Sequence, residues 1–173
     1  MENAEFYKVR NKYDWAFVTI NEATGTFMTE GSFGTYAYTW TAIGDQTLKQ
    51  FLAGLDFDYF MSKTKGLAYR VFDHDGTIAE LRRIIKEARR EGNRDKEQTR
   101  EAWDATEALE DEYYDDQGLF LNAMQGHSEI MDVIGWDDWW HVTRTRDDAQ
   151  CRGFWEMMWP EIVKAITPAK AVA

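Results

Sequence analysis

Residues 14–44 read DWAFVTINEATGTFMTEGSFGTYAYTWTAIG, and this stretch decides the fold class. "WAFVTI" is rich in aromatic and β-branched residues, which suit a pleated, half-buried surface. "NEATG" gathers turn formers and ends on Gly25, a residue free to take positive φ. "TFMTE" reads as a second strand, and Gly31 and Gly34 flank the next turn. "TYAYTW" puts Tyr36, Tyr38 and Trp40 on one face and Thr35, Ala37 and Thr39 on the other, the period-2 pattern of a strand with one aromatic face. Three such strands joined by short turns make an antiparallel meander.

Helical patterns follow. In "DQTLKQFLAGL" Asp45 is the expected N-cap, and Leu48, Phe51, Leu52 and Leu55 share a face. "LAYRVFD" (67–73) reads as a fourth, shorter strand. "HDGTIAELRRIIKEARREG" is the clearest helix. Thr77 and Glu80 form a T-x-x-E capping box, Ile78, Leu81, Ile85 and Ala88 make the apolar stripe, and Gly92 ends the helix. Asn93 is the expected cap of a second helix running from about Arg94 to Tyr114. So short a turn predicts an antiparallel helical hairpin over about residues 77–115.

The last third, about residues 118–167, is apolar and Trp-rich and is broken by Gly118, Gly126 and Gly135, so it reads as short helices and loops. Near its end Phe154, Trp155, Met158, Trp159, Ile162 and Ile166 fall at helical spacing, and Pro160 either kinks that helix or opens a new one. Strands followed by helices imply an α+β fold. The expectation is one α+β domain over residues 1–173. It has a sheet at about 6–43 and 67–73, packed with the helical hairpin and a Trp-rich C-terminal helical part.

Composition narrows the function classes. Hydrophobic residues make up 44% of the chain, which excludes global disorder. A formal net charge of −11 argues against a general nucleic-acid binder, because phosphates would be repelled. The single cysteine, Cys151, allows no internal disulfide, so a reducing compartment is expected. "MENAEFYKVRNKYDW" has no apolar run after a basic start, and no stretch approaches the ~18 apolar residues of a membrane span. A cytoplasmic location is expected.

The charge is sorted into blocks. "ELRRIIKEARR" (80–90) is crowded with cations, whereas "EAWDATEALEDEYYDD" (101–116) holds eight carboxylates and no Lys or Arg. Residues 95–116 carry ten acids against Lys96 and Arg100, a net −8. Glu97, Glu101, Asp104, Glu107 and Asp111 recur every three or four residues and so share a helix face, which Glu112, Asp115 and Asp116 extend. Two readings stand. The stripe is a solvated face neutralised in part by Arg82, Arg83, Lys86, Arg89 and Arg90 of the neighbouring helix, or it is a surface for a basic partner.

Other clusters are weaker. Asp73, His74 and Asp75 could hold a metal or supply a base, yet acids before a helix also serve its dipole. His127, Asp132, Asp137, Asp138 and His141 offer nitrogen and oxygen ligands without a zinc spacing. Cys151 has no base beside it, and "TEGSFG" lacks the pattern of a phosphate loop. Trp136, Trp139, Trp140, Trp155 and Trp159 read first as core packing, with a binding surface as the alternative.

In combination, "TINEATG", "SFGTYAYTW", "FLAGLDFDYFMSK", "VFDHDGT", "LRRIIKEARR", "EQTREAW" and "FWEMMWPEI" resemble the small accessory proteins encoded by tailed phages and prophages. The similarity covers nearly the whole chain; Phe33 departs from the Asp-Tyr-Gly type of turn associated with that family. The resemblance implies a phage origin and action inside a bacterial cell, and it transfers no catalytic residue and no cofactor. Small acidic phage proteins of this kind often block a host protein. The leading expectation is therefore a non-enzymatic inhibitor of a host nucleic-acid-handling or defence complex, anti-CRISPR or similar. Its partner would be a protein with a basic surface, with no direct binding of nucleic acid or membrane. The alternatives are a metal-dependent hydrolase built on Asp73, His74 and Asp75 with His127 or His141, and a phage assembly protein that self-associates through aromatics.

Overall fold

The computed structural model describes residues 4–137 and 139–167. In chain order its elements are β1 Glu5–Arg10, β2 Trp15–Asn21, β3 Thr26–Gly31, β4 Gly34–Thr39, α1 Leu48–Ala53 and α2 Phe57–Lys65. They continue as β5 Arg70–Asp73, α3 His74–Arg90, α4 Lys96–Asp111, α5 Gln117–Gln125, α6 Ser128–Ile134, β6 Arg144–Asp147, α7 Ala149–Gly153 and α8 Trp159–Ile166. The fold is α+β. Residues 4–69 and 147–167 form one compact unit, and the described residues of Arg70–Arg146 form a second, so the second is inserted in the chain of the first.

The first unit is built on a four-stranded antiparallel meander, β1-β2-β3-β4. Its register pairs Val9 with Ala16, Ile20 with Phe27, and Thr29 with Tyr36. Strand alternation then buries Val9, Ala16, Val18, Ile20, Phe27 and Tyr36 on one face. At the β2–β3 turn the Asn21 side chain accepts from the Ala23 and Thr24 amides, and Gly25 takes φ 68°. A Cβ on Gly25 would lie 2.0 Å from the Trp40 carbonyl oxygen, so glycine is required for space as well as for φ.

The meander's fourth strand is β1, not residues 67–73. In β1, Val9 is buried while Lys8 and Arg10 on its flanks are not, a short alternation easily overlooked beside so many charges. Residues 66–69 form a 3-10 turn, and the strand that follows pairs with β6 in a separate two-stranded sheet.

Phe60 is the hub of the first core. It is fully buried, and its ring lies 5.8 Å from Phe27, 5.8 Å from Phe154 and 4.5 Å from Trp159. Leu48 and Leu52 of α1 are buried in the same cluster, with Phe51 and Leu55 packed against it. Thr47, not Asp45, caps α1, and Gln50 completes its capping box. At the C-terminal end Pro160 opens a helix. Residues Phe154–Met158 form a π turn, and α8 begins at Trp159 with Pro160 in its first turn. Proline has no N–H and crowds the carbonyl four residues earlier, so a widened turn just before it removes the conflict.

In the second unit Ile78, Leu81, Leu109, Phe120, Met124, Ile130, Met131 and Val142 make a separate core. Helix α3 starts earlier than Thr77: Asp73 is its N-cap and accepts from the Gly76 amide. The Thr77 hydroxyl is used otherwise, donating to the Asp73 carbonyl at 2.7 Å. At the far end Gly92 (φ 73°) donates to Arg89 and Asn93 donates to Ala88, a Schellman closure. Asp95 rather than Asn93 caps α4, accepting from the Glu97 and Gln98 amides at 2.9 Å, with Gln98 reaching back to close the box. Among the described residues no helix is long and apolar enough to cross a membrane.

Replacing the hub tests this account. Phe60→Ala is expected to lower the unfolding free energy by about 3–5 kcal/mol, through lost burial plus an unfilled cavity. Urea titration followed by tryptophan fluorescence checks it.

Candidate functional site

Helix α4 has two unlike sides. Thr99, Ala102, Thr106 and Leu109 are buried. The two threonine hydroxyls donate to the carbonyls four residues earlier, Asp95 at 2.9 Å and Ala102 at 2.8 Å, so neither is left unsatisfied. A stripe at that spacing fixes the rotation of the helix. Glu97, Glu101, Asp104, Glu107 and Asp111, on the opposite side, are all exposed.

Helix α4 ends at Asp111, so the remaining three acids do not share its face. Glu112 is the C-cap, Asp115 lies in the link, and Asp116 caps α5 by accepting from the Leu119 amide at 2.9 Å. All three are exposed. Asp104 faces Arg100 at 3.9 Å, and Glu107 accepts from the Trp103 indole at 3.2 Å. Among the described residues Glu97, Glu101, Asp111 and Asp115 make no ion pair.

The basic helix neutralises less of this charge than its composition suggests. Among the described residues one ion pair joins α3 to α4, the two-pronged contact of Arg82 with Glu110 at 2.9 and 2.6 Å. It holds the Glu110 carboxyl below the usual range. Arg83 instead binds Glu80 and Glu87 of its own helix. Lys86 and Arg82 sit over the Trp103 ring, 5.0 and 5.1 Å from its centre. Trp103 was not singled out by sequence reasoning. Its signal was its position four residues before Glu107, within reach of an indole N–H.

The other candidates separate in space. The Asp73 carboxylate is spent on its cap. Asp75 is exposed. His74 is buried among Phe72, Tyr113, Tyr114 and Phe120, and its Nδ1 accepts from the Tyr114 amide at 3.4 Å. Asp132, Asp137 and His141 are exposed, His127 is half-buried at the start of α6, and Asp138 lies outside the described residues. Among the described residues no three His, Cys, Asp or Glu side chains converge as a metal set. Cys151 is buried, and burial pushes its thiol up. The tryptophans divide: Trp159 is buried and Trp155 packs against the first core, Trp139 packs against the second, and Trp136 and Trp140 are exposed.

Glu80 links α3 to β6. It pairs with Arg83 at 2.6 Å and Arg144 at 2.5 Å, with its side chain only 13% exposed. The Arg83 hydrogen bond, with help from the charge of Arg144, holds its carboxyl below the ordinary 4.5 against the opposing effect of burial. A depressed carboxyl stabilises the fold above its unfolded value and loses that contribution as pH falls through its folded value. Glu80→Gln is therefore expected to lower the melting temperature at pH 7 and to flatten its decline below about pH 4.5. Melts from pH 7 to pH 3 check both.

No curated protein and no solved structure matches the chain. A family model described as a phage family, Phage_phiTE_072, matches residues 1–168, nearly the full length of the fold described above. The chain belongs to this phage family.

Proposed function

We propose that the protein is a phage-encoded inhibitor that occupies a basic surface of a host nucleic-acid-handling or defence complex, in the manner of an anti-CRISPR protein. The observation that carries this reading is the exposed, largely unpaired carboxylate stripe of α4. The arrangement works against the helix itself. Like charges three or four residues apart each cost a few tenths of a kcal/mol. The last turn of α4 has no basic residue to meet its dipole. A basic partner would relieve both costs and be drawn in by long-range attraction. Tyr113, 64% exposed within the same acidic segment, supplies an aromatic anchor.

The test is retention of host proteins from nuclease-treated bacterial lysate on immobilised protein at low salt. The wild type is expected to hold a discrete complex that elutes early in a salt gradient, since exposed charges are screened over ~8–10 Å at physiological ionic strength. A triple variant, Glu101→Lys with Asp104→Lys and Glu107→Lys, is expected to lose that complex while keeping the wild-type circular dichroism. Equal retention by the two proteins sinks the proposal.

A second reading, self-association in phage assembly, draws on the outer face of the meander. There Phe6, Trp15, Phe17 and Met28 are exposed by 36–59%, with the Phe6 and Phe17 rings stacked at 5.8 Å. If that face joins copies, light scattering will show an oligomer that Phe17→Glu disperses.

A further inference from the structure

The helical hairpin also carries a cationic groove. A cavity of about 360 Å³ lies between the last turns of α3 and the first turns of α4. Lys86 and Arg89 line it from α3, and Lys96 and Arg100 from α4. Asp104 is the one carboxylate on its wall, so the lining is net positive in a chain of net charge −11. Among the described residues Arg89 and Lys96 make no ion pair, although many unpaired carboxylates stand on the same hairpin. Four cations held together against the single carboxylate of Asp104, which faces Arg100 at 3.9 Å, repel one another, and an anion placed among them offsets that cost. Arginine and lysine together suit phosphate, the guanidinium as a fork and the ammonium as a point charge.

The rest of the lining is not polar enough for a bare anion. Ile85 is buried, and Trp103 is half-buried with its indole N–H already given to Glu107. Trp103 gives the lining an aromatic ring, with Lys86 5.0 Å from its centre. A ligand that fits has a planar apolar part and a phosphate part. The volume is at the small end of ligand pockets, about 300–1,000 Å³. A nucleic-acid strand running on past the groove would carry its phosphates along the acidic stripe of the same helix and be repelled.

We propose that this groove binds a nucleoside phosphate, its phosphates held by Lys86, Arg89, Lys96 and Arg100 and its base lodged against Ile85 and Trp103. Titration calorimetry of the full chain at low salt tests it, with ATP, inorganic triphosphate and adenosine as probes. ATP is expected to bind at one site and more tightly than either fragment. The double variant Arg89→Glu with Lys96→Glu removes no ion pair and is expected to weaken ATP at least tenfold with unchanged circular dichroism. Trp103→Leu is expected to weaken ATP while leaving triphosphate unaffected. No heat from millimolar ATP, or undiminished affinity in the double variant, overturns the site. Triphosphate binding as tightly as ATP overturns its nucleoside part. These variants leave the acidic stripe intact, so the outcome is independent of the inhibitor reading.

Discussion

Burial of one stripe of α4, Thr99, Ala102, Thr106 and Leu109, orients the charge of the helical unit. An α-helix has no freedom to rotate once such a stripe is desolvated against neighbours, because each buried position fixes the azimuth of all the others. The carboxylates between those positions must then face water. The two threonines are admitted to the buried side because their hydroxyls return to carbonyls of their own helix. Hydrophobic burial thus decides where the charge goes, and electrostatics accepts the result.

That order of causes explains why charge sorting along the chain does not become charge pairing in space. A surface ion pair contributes roughly 0–1 kcal/mol, less than the burial of one leucine. Helix packing is set by Ile78, Leu81 and Leu109, and the cations take whatever partner that packing brings near. For Arg82 it is Glu110 across the hairpin; for Arg83 it is Glu80 and Glu87 along its own helix; for Lys86 it is the Trp103 ring. The leftover negative charge collects on one side of α4, and leftover positive charge collects in the groove beside it. The family places the protein among phages.

The first unit follows the same logic in aromatic form. Phe60 touches rings from β3 and from the C-terminal helical segment, so residues more than ninety positions apart share one desolvated cluster. The π turn before Pro160 is the local accommodation that lets Phe154, Met158, Trp159 and Ile162 all remain buried.

The amino-acid sequence by itself determined what is local. Alternation in residues 15–40, the caps and glycines of the hairpin, and the three-to-four spacing of the acids all act between near neighbours, and these pointed to the α+β class, the hairpin and an acidic stripe whose exposure only the structure decided. Cap residues slipped by a few positions, as Thr47, Asp73 and Asp95 show, because several adjacent polar side chains can each accept the free amides and only packing selects among them. The tertiary structure alone decided the rest: that residues 70–73 pair with 144–147 instead of joining the meander, that among the described residues only Arg82 of the five α3 cations makes an ion pair with α4, and that Lys86, Arg89, Lys96, Arg100 and Trp103 line one groove. Such outcomes depend on contacts between distant segments, each chosen by which apolar faces fit together, and a linear pattern of charges carries no record of that fit.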